Sequence, residues 1–194
     1  EYFKSNYPDS KTDIFAVFIE KCLKMLSKNR YLAMITQQSF MFLSSYTKLR
    51  KKVFNNNNII NMTHLGSNAF EEIGGEVVQT TSFILQNHLI NYYLSKYSSL
   101  IEYNSQKSKE NAFLKGNNIH IANQKDFTKI PGSPIAYWIS DNMLIAFKKG
   151  IKLEEILNPK AGITTSNNNE FLRFWWEVTF DDVGMFFDSK EDLW

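Results

Sequence analysis

The sequence predicts an α/β protein, the later half of a sheet that closes on an antiparallel hairpin. Three observations predict it. Amphipathic helical runs alternate with short strand-like runs through the first 87 residues. The last two of these runs, Ile59 to Leu65 and Glu76 to Gln86, carry the Ile, Val, Thr and Phe that suit a pleated surface. The connection between them, Ser67 to Gly75, ends in Gly74-Gly75 and is too long for a two-residue hairpin, so it reads as a mobile loop.

Taken in order, Thr12-Asp13 can cap a helix whose Ile14, Phe15, Phe18, Ile19, Cys22, Leu23 and Leu26 recur at three and four residues and share a buried stripe. Cys22 on that stripe reads as a packing residue, and Glu20 and Lys24 can pair on the other side. After Ser27-Lys28-Asn29, the apolar run Tyr31 to Ile35 reads as a buried central strand. A second helix, about Ser44 to Phe54, carries the densest basic cluster, Lys48 to Lys52, read as a solvated helix face. Asn55 to Asn58 close it with residues that tolerate turn conformations. The strand pair follows, with Phe70 on its loop, either folded back to cap the core or presented outward.

Beyond Asn87 the pattern is looser. Asn91 to Tyr103 fits a strand by its Tyr and Ile content and a helix by spacing, and Ser105 to Gly116 reads as a charged surface helix stopped by glycine. Pro131 to Pro134 is a stiff loop, Asp141 can cap a helix to Lys149, and Lys152 to Leu157 adds a turn or two. Gly162 to Asn169 is polar and loop-like, and Phe171 to Trp176 groups aromatics around Arg173.

Composition narrows the class. With 43% hydrophobic and 15% aromatic residues, 194 residues suffice for a packed core. A net charge of +2 creates no bulk field of the kind that marks a nucleic-acid binder, so any DNA contact must come from local patches. No apolar run approaches the ~20 residues of a membrane helix, the single Cys22 rules out a disulfide framework, and a cytoplasmic setting fits. His64, His88 and His120 lie far apart with no Cys or carboxylate at ligand spacing, so no metal is expected. The chain opens on Glu1 without a signal peptide and reads as a piece of a longer protein.

The runs SKTDIFAVFIEKCLKMLSKNRYLAMITQQSFMFL, YTKLRKKVF, IINMTHLGSNAF and VVQTTSFILQN, in that order, resemble the later motifs of the Rossmann-like N6-adenine DNA methyltransferases of restriction–modification type. IPGSPIAYW (Ile130 to Trp138) and GITTSNNNEFLRFWWEV (Gly162 to Val178) resemble the PglX branch of that family, from BREX phage defence. The resemblance implies that residues 1–87 are the C-terminal part of a methyltransferase domain, and that 88–194 form a linker and mixed α+β segment opening a target-recognition region. It implies methyl transfer from S-adenosylmethionine to the N6 amine of adenine. The substrate would be double-stranded DNA with the target adenine flipped out of the stack, and other defence-system proteins are candidate partners. The amine is a poor nucleophile, so the family positions it with an Asn-Pro-Pro-Tyr motif whose oxygens accept its hydrogens.

That motif is not in this chain: its one Asn-Pro, Asn158-Pro159, runs into Lys160-Ala161, and no glycine-rich cofactor loop occurs. Both features lie upstream in the family. The catalytic residues are therefore expected before residue 1, and the segment alone is expected to be inactive. Two aromatics match family positions. Phe18 corresponds to the ring that packs against the cofactor's adenine, beside its plainer reading as a core residue. Phe70 corresponds to the loop aromatic that contacts the flipped adenine. Asn167, Asn168, Asn169 and Arg173 are candidates for DNA contact; the plainer reading buries the neighbouring Trp and Phe against another domain. The alternative function is a non-catalytic DNA-binding or subunit-docking module that keeps the methyltransferase-like fold.

Overall fold

The computed structural model describes residues 1–72, 78–151, 153–157, 172–174 and 176–179. It divides into two compact units, Glu1–Gly150 and Ile151–Trp194.

In the first unit a short helix α1 (Tyr2–Asn6) precedes α2 (Ile14–Met25). Asp13 stands at the N-cap of α2, although its side chain makes no capping hydrogen bond. The expected stripe is only partly buried: Ala16, Val17, Ile19 and Glu20 are inside, Phe15 and Leu23 pack at the margin, and Cys22 is half-buried. Ile14, Phe18 and Met25 are exposed. Glu20 pairs with Lys24 as the i,i+4 spacing implies, at 3.3 Å, but from a buried position. It also accepts from Ser10 Oγ at 2.7 Å and Lys52 Nζ at 2.9 Å. Burial alone would raise its pKa; the Lys52 and Ser10 hydrogen bonds and the Lys52 charge outweigh that and hold it below the ordinary carboxylate value.

Strand β1 (Tyr31–Gln37) leads through 3₁₀ turns at Gln38–Met41 and Ser44–Tyr46 into α3 (Thr47–Asn56). One extended residue, Asn57, then joins α3 to β2 (Asn58–Gly66). The Asn55 to Asn58 run is thus the end of a helix and the start of a strand rather than a turn. Gln124 makes that abrupt junction tenable: its Oε1 accepts from Ile59 N, and its Nε2 donates to the carbonyls of Phe54 and Asn57. Strand β3 (Thr80–Gln86) returns antiparallel to both β1 and β2.

The sheet does not stop there. Residues 91–103 supply a strand, β4 (Leu94–Ser99), parallel to β2. Helix α4 (Gln106–Lys115), with a Ser105–Ser108 capping box and a left-handed Gly116, leads to β5 (Ile119–Asn123), antiparallel to β4. The order is β1-β3-β2-β4-β5, a mixed α/β sheet. β1 is therefore an edge strand, not a central one, and Tyr31 and Ile35 are exposed. A short, continuously apolar run is compatible with burial on both faces, but periodicity alone cannot place it within a sheet.

Helices α5 (Gln124–Phe127) and α6 (Asp141–Lys149) complete the first unit, and α7 (Leu153–Ile156) opens the second. The cap of α6 is Ser140, whose Oγ accepts from Met143 N, with Asp141 in the first turn. The core covers one face of the sheet, where Ile59, Met62, Phe83, Leu85 and Tyr97 meet Ile19, Leu49, Val53 and Phe127. The other face is open beside α4, leaving a groove of about 310 Å³ lined by Ile35, Thr63, Leu65, Ser82 and Phe113. No described helix is long and apolar enough to cross a membrane.

Candidate functional site

Register brings the ends of β1, β2 and β4 together with the start of β3. Gln37 and Gly66 both face Thr80, and His64 faces Ser99. From this carboxyl end emerge the 3₁₀ turn after β1 and the loop after β2 that carries Phe70.

The turn is fixed by Arg50. Its side chain is 1% exposed, and all five of its N–H donors are used. Nε donates to Ser133 O, Nη1 to Phe40 O and Leu43 O, and Nη2 to Thr47 Oγ1 and Gly132 O, at 2.6 to 3.2 Å. Burial lowers its pKa to about 10, so it remains charged at neutral pH. The basic cluster is thus not a uniformly solvated face: Arg50 is a buried carbonyl clamp, and Lys52 is turned to Glu20 and Asp9.

His64 is the second fixed point. Its Nδ1 lies 2.9 Å from Tyr137 Oη and its Nε2 2.6 Å from Gln38 Oε1. The amide oxygen can only accept, which assigns the proton to Nε2 and makes Nδ1 the acceptor of the tyrosine O–H. Gln38 in turn bonds Gln79 through side chain and backbone. Burial, with the charge of Lys109 added, lowers the His64 pKa to about 4, so the imidazole is neutral at pH 7. Phe42 packs on His64 at 5.7 Å between ring centroids, and Trp138 packs on Phe42 at 5.7 Å and Tyr137 at 4.9 Å. Sequence reasoning missed this cluster because its members come from four separated segments; the one signal was the stiff IPGSPIAYW run.

The structure places Phe70 on the loop just past β2, 40% exposed and outside the core cluster, against its reading as a core cap. Asn68, two residues earlier, takes a left-handed conformation (φ 54°) that turns the chain out of the strand. Phe18 is 49% exposed on α2 and lies outside the core cluster of this chain. Phe18 thus stands on α2 and Phe70 on the loop after β2. Arg173 is exposed in the second unit, where its Nη1 donates to Leu172 O, and it directly precedes a stacked Phe174–Trp176 pair at 4.5 Å. Asn167, Asn168 and Asn169 lie outside the described residues. Among the described residues no group of three or more His, Cys, Asp or Glu side chains is placed to hold a metal ion.

Residues 1–70 match the pattern of the Eco57I restriction–modification methylase family. The chain is 46% identical over 181 residues, 90% of its length, to the adenine-specific methyltransferase PglX of Lacticaseibacillus casei. It is 39% identical over 190 residues, 95% of its length, to the adenine-specific methyltransferase BrxX of Escherichia coli. It spans 15% of the length of each of these relatives. Among solved structures, a Listeria monocytogenes protein described as a class I S-adenosylmethionine-dependent methyltransferase aligns at TM-score 0.39 and 17% identity, over 53% of this chain and 31% of that one. A DrdV–DNA complex aligns at TM-score 0.46 and 14% identity, over 62% and 14%. Likenesses this partial bear on neither substrate nor activity.

Proposed function

The chain is a sequence relative of one segment of the PglX and BrxX adenine-specific methyltransferases, and from that premise we propose that it is part of an S-adenosylmethionine-dependent enzyme that methylates the N6 amine of adenine in DNA, in restriction–modification or phage defence. The observation that carries this reading is the 46% identity over 90% of the chain. When bound, S-adenosylmethionine supplies the methyl group from its sulfonium.

This chain contributes walls rather than the reacting carboxamide motif. Phe18 offers a half-exposed ring for the cofactor's adenine, and its lack of a core role leaves that face free to stack. Phe70 offers its ring to the flipped adenine from a loop at the carboxyl end of the sheet, where a base can be held without being buried in the fold. Residues 1–87 serve as the later part of the methyltransferase domain, whose sheet runs on through β4 and β5, and the rest of 88–194 leads into target recognition, with Arg173 and Asn167 to Asn169 as DNA contacts. The same reading makes it a cytoplasmic enzyme that works beside other defence proteins.

The test is made in the full-length protein that carries this segment. It should deposit N6-methyladenine in plasmid DNA. Phe70→Ala should then slow methyl transfer roughly ten- to a hundredfold, the equivalent of the about 1–3 kcal/mol lost with a base–aromatic stack. Its melting temperature should barely move, whereas a core Phe→Ala would cost about 3–5 kcal/mol. A variant that melts several degrees early yet methylates at the parental rate would return Phe70 to the core.

A further inference from the structure

The segment from Ile130 to Trp138 is held more firmly than a connection requires. Pro131 and Pro134 restrict it, Gly132 and Ser133 turn through left-handed conformations (φ 76° and 50°), and Arg50 grips both of their carbonyls. Ile135 N then donates to Met41 O at 2.9 Å, tying the segment to the turn after β1. What this anchoring presents at its end is Trp138. The indole meets Tyr137 edge-on and tilts against Phe42. Tyr137 itself lies flat on Tyr97 at 5.2 Å and 4°. Trp138 is still 52% exposed. Its inner side is fixed by rings and its outer side is bare.

The same cluster reaches the start of β3. Phe42 packs on His64, His64 donates to Gln38, and Gln38 bonds Gln79, which lies at the end of the connection from β2 to β3. Phe42 follows β1 and Phe70 follows β2, so Phe70 and Trp138, packed on Phe42, both belong to the carboxyl end of the sheet. A rigid aromatic loses little freedom when it binds a flat partner. Every nucleobase offers such a face, and flipping one base strips its neighbour of a stacking partner.

We propose that Trp138 is a second DNA-contacting aromatic, stacking its exposed face on a base next to the flipped adenine. The inference rests on the DNA-methyltransferase reading above. It needs Phe70 and Trp138 to act on adjoining nucleotides, one on the extruded base and the other on the vacated stack.

The full-length protein is tested on a duplex carrying the site at which it methylates plasmid DNA, with 2-aminopurine at the target adenine or at either neighbouring position. The parental protein should brighten the probe at the target and quench it at one neighbour. Trp138→Ala and Trp138→Leu should restore the neighbour's fluorescence and weaken binding ten- to a hundredfold, the range expected for loss of one stacked base. Trp138→Phe should retain part of the quench. Leu preserves apolar volume, so a fold that fails with Ala can still be read with Leu. If Trp138→Leu keeps the parental affinity and every probe signal, the inference is overturned while the methyltransferase reading stands. If the parental protein neither methylates DNA nor brightens the target probe, both are overturned.

Discussion

Arg50 shows how one side chain can organise a site it never touches. A guanidinium with no carboxylate among its hydrogen-bond partners is an expensive group to bury, and it is tolerated here because each donor meets a carbonyl or hydroxyl. Those acceptors belong to the turn after β1, the start of α3 and the Gly132–Ser133 bend, so the same bonds fix the relative positions of Phe42 and Trp138. Replacing Arg50 by Met would leave the acceptors buried and unpaired, at about 1–3 kcal/mol each for those that water cannot reach. Arg50→Met is therefore expected to lose several kcal/mol of stability. Arg50→Lys should recover only part of it, because three rotatable donors cannot match five fixed ones. Denaturant midpoints for the two variants check this; equal and small losses would mean that the clamp contributes shape without energy.

At the scale of elements, local chemistry was legible where one segment decides its own structure. The helix over Ile14–Met25 follows from its three- and four-residue spacing, and the helix at Gln106–Lys115 from its polar surface pattern and Gly116 stop. What one segment could not decide was position. YLAMI reads as a strand from composition, but its place at the sheet edge depends on β3, some fifty residues away. Strand β5 carries too short a run, IHIAN, to stand out, and it is defined by pairing with β4. Phe18 and Phe70 stand out as positions, while the Arg50 and His64 clusters do not, since each is completed by contacts that reach 73 to 83 residues along the chain. Lys109 is another such contact: from α4 it donates at 2.7 Å to the carbonyls of Leu65, near the end of β2, and Leu100, just after β4. Lys109→Met should orphan both carbonyls and loosen α4 from the sheet. Hydrogen exchange of the α4 amides should then quicken by one or more decades, at about 1.4 kcal/mol per decade, while the β2–β3 ladder stays protected. Unchanged exchange in α4 would show that its packing alone holds it.

For the whole molecule, the buried His64 makes stability depend on pH in a direction that can be worked out. Its pKa is near 6.5 when unfolded and about 4 in the fold. Below pH 6.5 the unfolded chain takes up a proton that the folded chain refuses, so stability present at neutral pH drains away as the pH falls toward 4. At about 1.4 kcal/mol per unit this amounts to roughly 3 kcal/mol across the window. Glu20 acts in the same direction further down: its folded pKa is below the ordinary 4.5, so its contribution is lost as the pH falls through that lowered value. Acidification should therefore lower the melting temperature in two stages. For a chain of this size the first stage corresponds to roughly 6–12 °C between pH 6.5 and 4. His64→Gln, which keeps an amide able to reach Gln38 but cannot titrate, should melt below the parent at pH 7, and that gap should close as the pH approaches 4. Parallel melting curves for the two proteins across this range would mean that the imidazole is already free to protonate in the fold. The Gln38–His64–Tyr137 relay would then not be the rigid base on which Phe42 and Trp138 rest.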